Sequence, residues 1–120
     1  MSTYRDLEAW QVGMALVERC YGATKTFPRE EQFGLVSQIR RAAVSIPSNV
    51  AEGACRRSDA VFGNHICIAL GSQAELETCV EIARRLGYLS DADCRELNDH
   101  CALAGRLLNG LHRSLKPLNQ

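Results

Sequence analysis

Proline is scarce in this 120-residue chain, three residues in all, and aromatic side chains make up only 6%. An excess of one charge sign is also missing: 14 Lys+Arg against 14 Asp+Glu leave a formal net charge of zero. That balance argues against a protein built mainly to coat nucleic acid, which usually carries surplus positive charge. No apolar run approaches the roughly 20 residues of a membrane span. The start, Met1-Ser2-Thr3-Tyr4-Arg5-Asp6, has no apolar core of the secretory kind. The expected compartment is therefore the cytosol. Runs of β-branched residues and hairpin dipeptides between alternating segments are lacking too, so nothing predicts a strand.

Several chemistries lack their local signatures. There is no CxxC or C-x-x-H spacing for zinc. His65, His100 and His112 have no glutamate three residues before them, which removes the Glu-x-x-His pattern of a di-iron bundle. Gly71-Ser72 falls inside a helical pattern, without the strand-turn-helix context of a phosphate loop. A Cys–His nucleophile pair would have to form in the fold. The adjacent His100 and Cys101 point in different directions on a helix and do not supply one. The six cysteines read as small core or interface residues: Cys67 and Cys79 lie about 18 Å apart on one helix, Cys94 and Cys101 about 10 Å, both beyond disulfide reach. No enzyme activity, metal or cofactor is expected.

What the chain does contain is four helical patterns in one domain spanning 1–120. Such a length buries about two-thirds of its unfolded surface. The first pattern shows Leu7, Trp10, Met14, Val17, Tyr21 and Thr24, ended by Phe27-Pro28. The second runs from about Glu30 to Gly53, whose missing side chain suits a left-handed cap. Ser58-Asp59 opens the third, with a seam of Phe62, Ile66, Ala69, Gln73, Leu76, Val80 and Ala83, closed by Leu86-Gly87-Tyr88-Leu89. Ser90 opens the fourth, with Cys94, Leu97, Cys101, Ala104, Leu108, Leu111 and Leu115, and Pro117 stops it. Three-four spacing and short connections predict an up-down-up-down antiparallel four-helix bundle. Ala9, Leu16 and Cys20, with Leu103 and Leu107, widen the apolar stripes and favour association.

Pro47 interrupts the second pattern from within. Leu35, Ile39, Ala42, Ile46 and Val50 keep one face through it, although proline removes a donor and crowds the Ala43 carbonyl at a cost of about 3 kcal/mol. Gln38, Arg41, Ser45, Asn49, Glu52 and Arg56 form a polar stripe on the same helix, which Ser72, Glu75 and Thr78 of the third could face. Ser45, Asn49, Glu52, Ser72 and Glu75 are read as a structural network that satisfies the carbonyl freed by Pro47. The alternative is a site for a polar partner. Arginine doublets stand at Arg40-Arg41, Arg56-Arg57 and Arg84-Arg85. Glu81 can pair with the last, while Arg40, Arg41, Arg56 and Arg57 are the candidate phosphate contacts.

The segment Gln38 to Gly53 (QIRRAAVSIPSNVAEG), followed by Gly71 to Thr78 (GSQAELET), resembles the four-helix-bundle proteins encoded in intervening sequences of 23S ribosomal RNA genes. The resemblance runs from Leu7-Glu8-Ala9-Trp10 to the last helix. It implies assembly into a homopentamer of side-by-side subunits. It also implies kinship with the accessory variability protein of diversity-generating retroelements, a bundle that binds nucleic acid and a reverse transcriptase. No catalytic residues come with it. Two functions follow as expectations. One is a non-enzymatic oligomer that binds RNA, DNA or a ribonucleoprotein through symmetry-repeated arginines. The other is a protein-interaction scaffold for a partner enzyme such as a reverse transcriptase.

Overall fold

The computed structural model describes residues 2–115. Four helices, α1 (Glu8–Thr24), α2 (Leu35–Cys55), α3 (Asp59–Arg85) and α4 (Asp91–Ser114), account for most of them, and no strand forms among these residues. The two short 3-10 turns, Tyr4–Asp6 and Arg29–Glu31, precede α1 and α2. Each helix packs on its sequence neighbours, and α1 closes the ring against α4, while the diagonal pairs stay apart. Cross-helix partners run in opposite directions along consecutive helices: Gly13 meets Pro47 and Thr24 meets Arg40; Ser45 meets Ser72 and Asn49 meets His65; Gln73 meets Cys101 and Cys67 meets His112. The bundle is therefore antiparallel throughout, and measures 49 × 24 × 20 Å. Pro117 lies outside the described residues; α4 ends at Ser114, before it.

The core lies where three-four spacing puts it on α2, α3 and α4. Ile39, Ile46, Val50, Ile66, Leu76, Val80, Cys101, Ala104 and Leu108 are closed to solvent or nearly so. On α1 the seam differs from the expected one. Ala9, Gly13, Leu16, Cys20 and Thr24 are buried, whereas Met14 and Tyr21 are 38% and 40% exposed. The buried proline supplies the reason. A Cβ built on Gly13 would sit only 3.3 Å from the Pro47 ring, so α1 turns its smallest residue to the bulge that the ring creates. Ala9, Leu16 and Cys20 thus belong to the subunit core, and no longer argue for association. Exposed apolar surface is carried instead by Phe33, Ile68, Ile82 and Leu86.

Two helix ends also depart from expectation. α2 starts at Leu35 rather than near Glu30, because the Glu31 carboxylate accepts from Leu35 N at 3.1 Å while Glu30 and Glu31 lie in the 3-10 turn. The same carboxylate accepts from Tyr88 Oη at 3.2 Å, which ties this start to the α3–α4 loop. Gly53 is no left-handed cap: among the described residues only Gly87, at φ +79°, has a positive φ. Gly53 sits inside α2, where a Cβ would come within 2.8 Å of Phe62 and His65 side-chain atoms, so its role is close approach to α3. Gly87 closes α3, with Tyr88 N donating back to Ala83 O at 2.9 Å.

Candidate functional site

The polar residues of α2 and α3 meet on one side of the bundle. α2 remains a continuous helix through Pro47. Immediately around the proline, the Asn49 amide donates to Ser45 O at 2.9 Å and to Ser45 Oγ at 3.0 Å. Ser72 Oγ donates to Ser45 Oγ at 2.7 Å, which bridges the two helices. Three of the five expected network residues are thus joined, and the Asn49 donor goes to Ser45 O rather than to the Ala43 carbonyl, whose helical donor Pro47 removes. The fourth joined residue is His65, whose Nδ1 lies 3.0 Å from Asn49 Oδ1. Because the Asn49 NH2 is committed to Ser45, Oδ1 must accept, and His65 Nδ1 therefore carries the proton. Glu52 approaches the same ring nitrogen at 3.8 Å.

Next to this chain of hydrogen bonds, an open surface groove of about 510 Å³ runs along α2 and α3. Phe33, Gln38, Arg41, Ser45, Ser72 and Glu75 line it. Phe33 stands 91% exposed at this groove. Of the expected network, Ser45, Asn49 and Ser72 are directly bonded. Glu52 reaches the chain only through His65, and Glu75 faces the groove without a hydrogen bond to the others. Thr78 does not join, since its hydroxyl donates to Ala74 O of its own helix at 2.9 Å. Phe33 carries no signal in the sequence, and His65 enters there only as a candidate metal ligand, not as a member of this network. The close approach required by Gly53, one turn from Asn49, was the signal that could have placed His65 beside it.

The arginines separate into distinct environments. Arg40 turns inward: its Nε donates to Thr24 Oγ1 at 2.9 Å, and its guanidinium stacks 4.4 Å from the Tyr21 ring centroid. Arg41 turns outward into the groove. Arg56 and Arg57 are exposed in the α2–α3 turn, roughly 20 Å along the helix from Arg41. The four candidates therefore form no single patch within one subunit. Arg84 and Arg85 behave as expected, both binding Glu81 at 2.8 Å. Those hydrogen bonds hold the Glu81 carboxyl down to about 2. Arg19 pairs with Glu96 across α1 and α4.

Four cysteines, Cys20, Cys79, Cys94 and Cys101, are buried, while Cys55 and Cys67 are exposed. Burial pushes the thiols of Cys20 and Cys101 up to about 12, so neither offers a nucleophile near neutral pH. Burial, with a smaller contribution from Glu75, also raises Cys79. Among the described residues no group of three or more His, Cys, Asp or Glu gathers as metal ligands would. No helix among them is long and apolar enough to cross a membrane.

The same architecture occurs in a crystal structure at 1.70 Å of a protein of unknown function from the S23 ribosomal protein family of Bacteroides thetaiotaomicron VPI-5482. The two superpose with a TM-score of 0.82 at 24% identity, over 88% of this chain and 96% of the other. That likeness concerns the fold. No curated protein sequence matches the chain. The model of the 23S rRNA-intervening sequence protein family matches residues 5–110, a span that contains the proline-bearing helix, its hydrogen-bonded partners on α3 and nearly all of the core. This chain belongs to the 23S rRNA-intervening sequence protein family.

Proposed function

We propose that the chain is a non-enzymatic, cytosolic helical bundle that binds RNA or a ribonucleoprotein through arginines repeated around an oligomer. The observation that carries this reading is the division of labour among the arginines. Arg19, Arg84 and Arg85 are committed to carboxylates, and Arg40 to Tyr21 and Thr24. Arg41, Arg56 and Arg57 expose guanidinium groups with no carboxylate partner among the described residues, as do Arg29, Arg95, Arg106 and Arg113 elsewhere on the surface. A free guanidinium fork suits phosphate oxygens. With zero net charge, one subunit exerts a weak field. Several copies would turn three scattered arginines into a multivalent surface. Five copies, and kinship with the accessory variability protein, are what the family resemblance adds to this proposal. Arg40 contributes by holding α2 against α1.

Fluorescence anisotropy with a labelled structured RNA tests the reading. The log of the affinity should fall linearly with log salt, by about 0.7–0.9 per phosphate contacted. The combined substitution R41A/R56A/R57A should remove most of the binding and flatten that slope. Absence of affinity for RNA or DNA at low salt would overturn the proposal. Mass measurement of the native oligomer checks the number of copies.

A second reading, a scaffold for a partner protein such as a reverse transcriptase, is favoured by one observation: the bare Phe33 ring at the groove. Pull-down from the native host after nuclease treatment separates the two. A protein partner that survives nuclease and is lost with Phe33→Ala supports the scaffold, whereas recovery of RNA alone counts against it.

A further inference from the structure

The two exposed cysteines have different surroundings. Cys55 is the last residue of α2 and makes no side-chain hydrogen bond among the described residues. Cys67 stands in the middle of α3, and its Sγ lies 3.6 Å from Nε2 of His112, brought in from the last turn of α4. Gly63 and Gly71 occupy the positions four before and four after Cys67, on the same helix face. Neither neighbour along α3 therefore covers the sulfur. A Cβ at Gly71 would meet nothing within 4 Å, and one at Gly63 would first meet the His112 ring at 3.8 Å. Mid-helix glycines cost roughly 0.5–1 kcal/mol each relative to alanine, so this slot is kept open at some expense. Residues 63–71 and 108–115, the two stretches that flank the slot, contain no Asp or Glu.

We propose that Cys67 is a reversible modification site for low-molecular-weight disulfides, with His112 as its base. Sγ attacks one sulfur of the incoming disulfide while the thiol proton passes to His112 Nε2. The new S–S bond forms as the old one breaks, and the departing thiolate takes the proton back from the imidazolium. The products are a mixed disulfide on Cys67 and one free small thiol, with no external oxidant required. The site faces the α3–α4 side, away from the α2–α3 groove, and stands independently of nucleic-acid binding.

Ellman's reagent on the native full-length chain is the test, with release of its coloured thiolate followed in time. One thiol should react in a fast phase that disappears in Cys67→Ser and persists in Cys55→Ser. His112→Gln should slow that phase at least tenfold, with helicity by circular dichroism unchanged. Gly71→Leu, which adds a branched side chain one turn from Cys67 where a Cβ meets nothing within 4 Å, should slow it too. Incubation with oxidised glutathione and peptide mass mapping should place the adduct on Cys67. Equal or faster reaction at Cys55, or an unchanged rate in His112→Gln, would overturn the assignment. So would an unreactive Cys67, which would show this small-residue slot to be covered in the assembled protein.

Discussion

The α2–α3 and α1–α4 seams hold the same bundle together by different means. Between α2 and α3, a chain of hydrogen bonds links Ser72, Ser45, Asn49 and His65, half-buried beside a polar groove. Between α1 and α4 the contact is apolar, centred on Leu16, Cys20, Leu97, Cys101 and Leu108, with a single ion pair, Arg19–Glu96, at the surface. Apolar contacts are non-directional and supply most of the stability. Hydrogen bonds add little net energy but penalise misregister, because a slipped partner leaves a desolvated polar group unpaired. Apolar packing therefore provides adhesion across the whole bundle, and on the α2–α3 seam the chain of hydrogen bonds adds register.

This contrast can be broken at several points. Leu16→Ala should have the largest effect, since the side chain is fully closed to solvent; a loss of about 2–5 kcal/mol is expected in chemical denaturation. An effect below that range would mean that α1 relaxes onto its partners more readily than a close-packed seam should.

The same seam should be sensitive to alkali. Cys20 and Cys101 stay protonated in the folded chain up to about 12, but ionise from the ordinary thiol value of 9.0 once unfolded. The unfolded state thus loses protons first. Stability should be fully present below pH 9.0 and fall between there and about 12, by up to about 1.4 kcal/mol per pH unit per thiol. Denaturation midpoints measured across that window, in wild type and Cys20→Ala, check the sign and the source.

On the other seam, Asn49→Ala should cost about 1–3 kcal/mol, because it strands the His65 N–H. A double-mutant cycle with His65→Ala should show coupling, and additivity would remove the argument that this network sets register. The smallest effect is expected from Arg19→Ala. Both partners of its ion pair are about half exposed, so the loss should stay under about 1 kcal/mol and vanish in high salt.

Much of this was legible in the chain, for reasons that differ between elements. The stripes of α3 and α4 emerge almost residue for residue, because capped helices with regular spacing allow one inward face. Ser58 and Ser90 cap them by accepting from Val61 N and Asp93 N. α1 was read one position off, since its stripe was broad enough for two seams and only the Pro47 ring, met by Gly13, chose between them. Ser45 and Asn49 were recognisable from their crowding around Pro47, and Ser72 as a polar position of α3 that could face them. His65 was not, because only the close approach of α3 at Gly53 brings its ring to Asn49. Cys67 and His112 were hidden in the same way, by a helix–helix approach that joins residues at a separation of 45.

The division follows from the range of the forces. Helix content, the serine caps of α3 and α4, the absence of strands among the described residues and the antiparallel order rest on contacts within a few residues and on short connectors, and the sequence by itself determined these, together with the family. Distances between side chains on different helices depend on how closely the backbones approach and on which way each helix is rotated. Those were decided by glycines meeting a proline ring on one side and Phe62 and His65 on the other. Only the tertiary structure could therefore turn Arg40 inward and Arg41 outward, join His65 to Asn49, and set His112 against the open sulfur of Cys67.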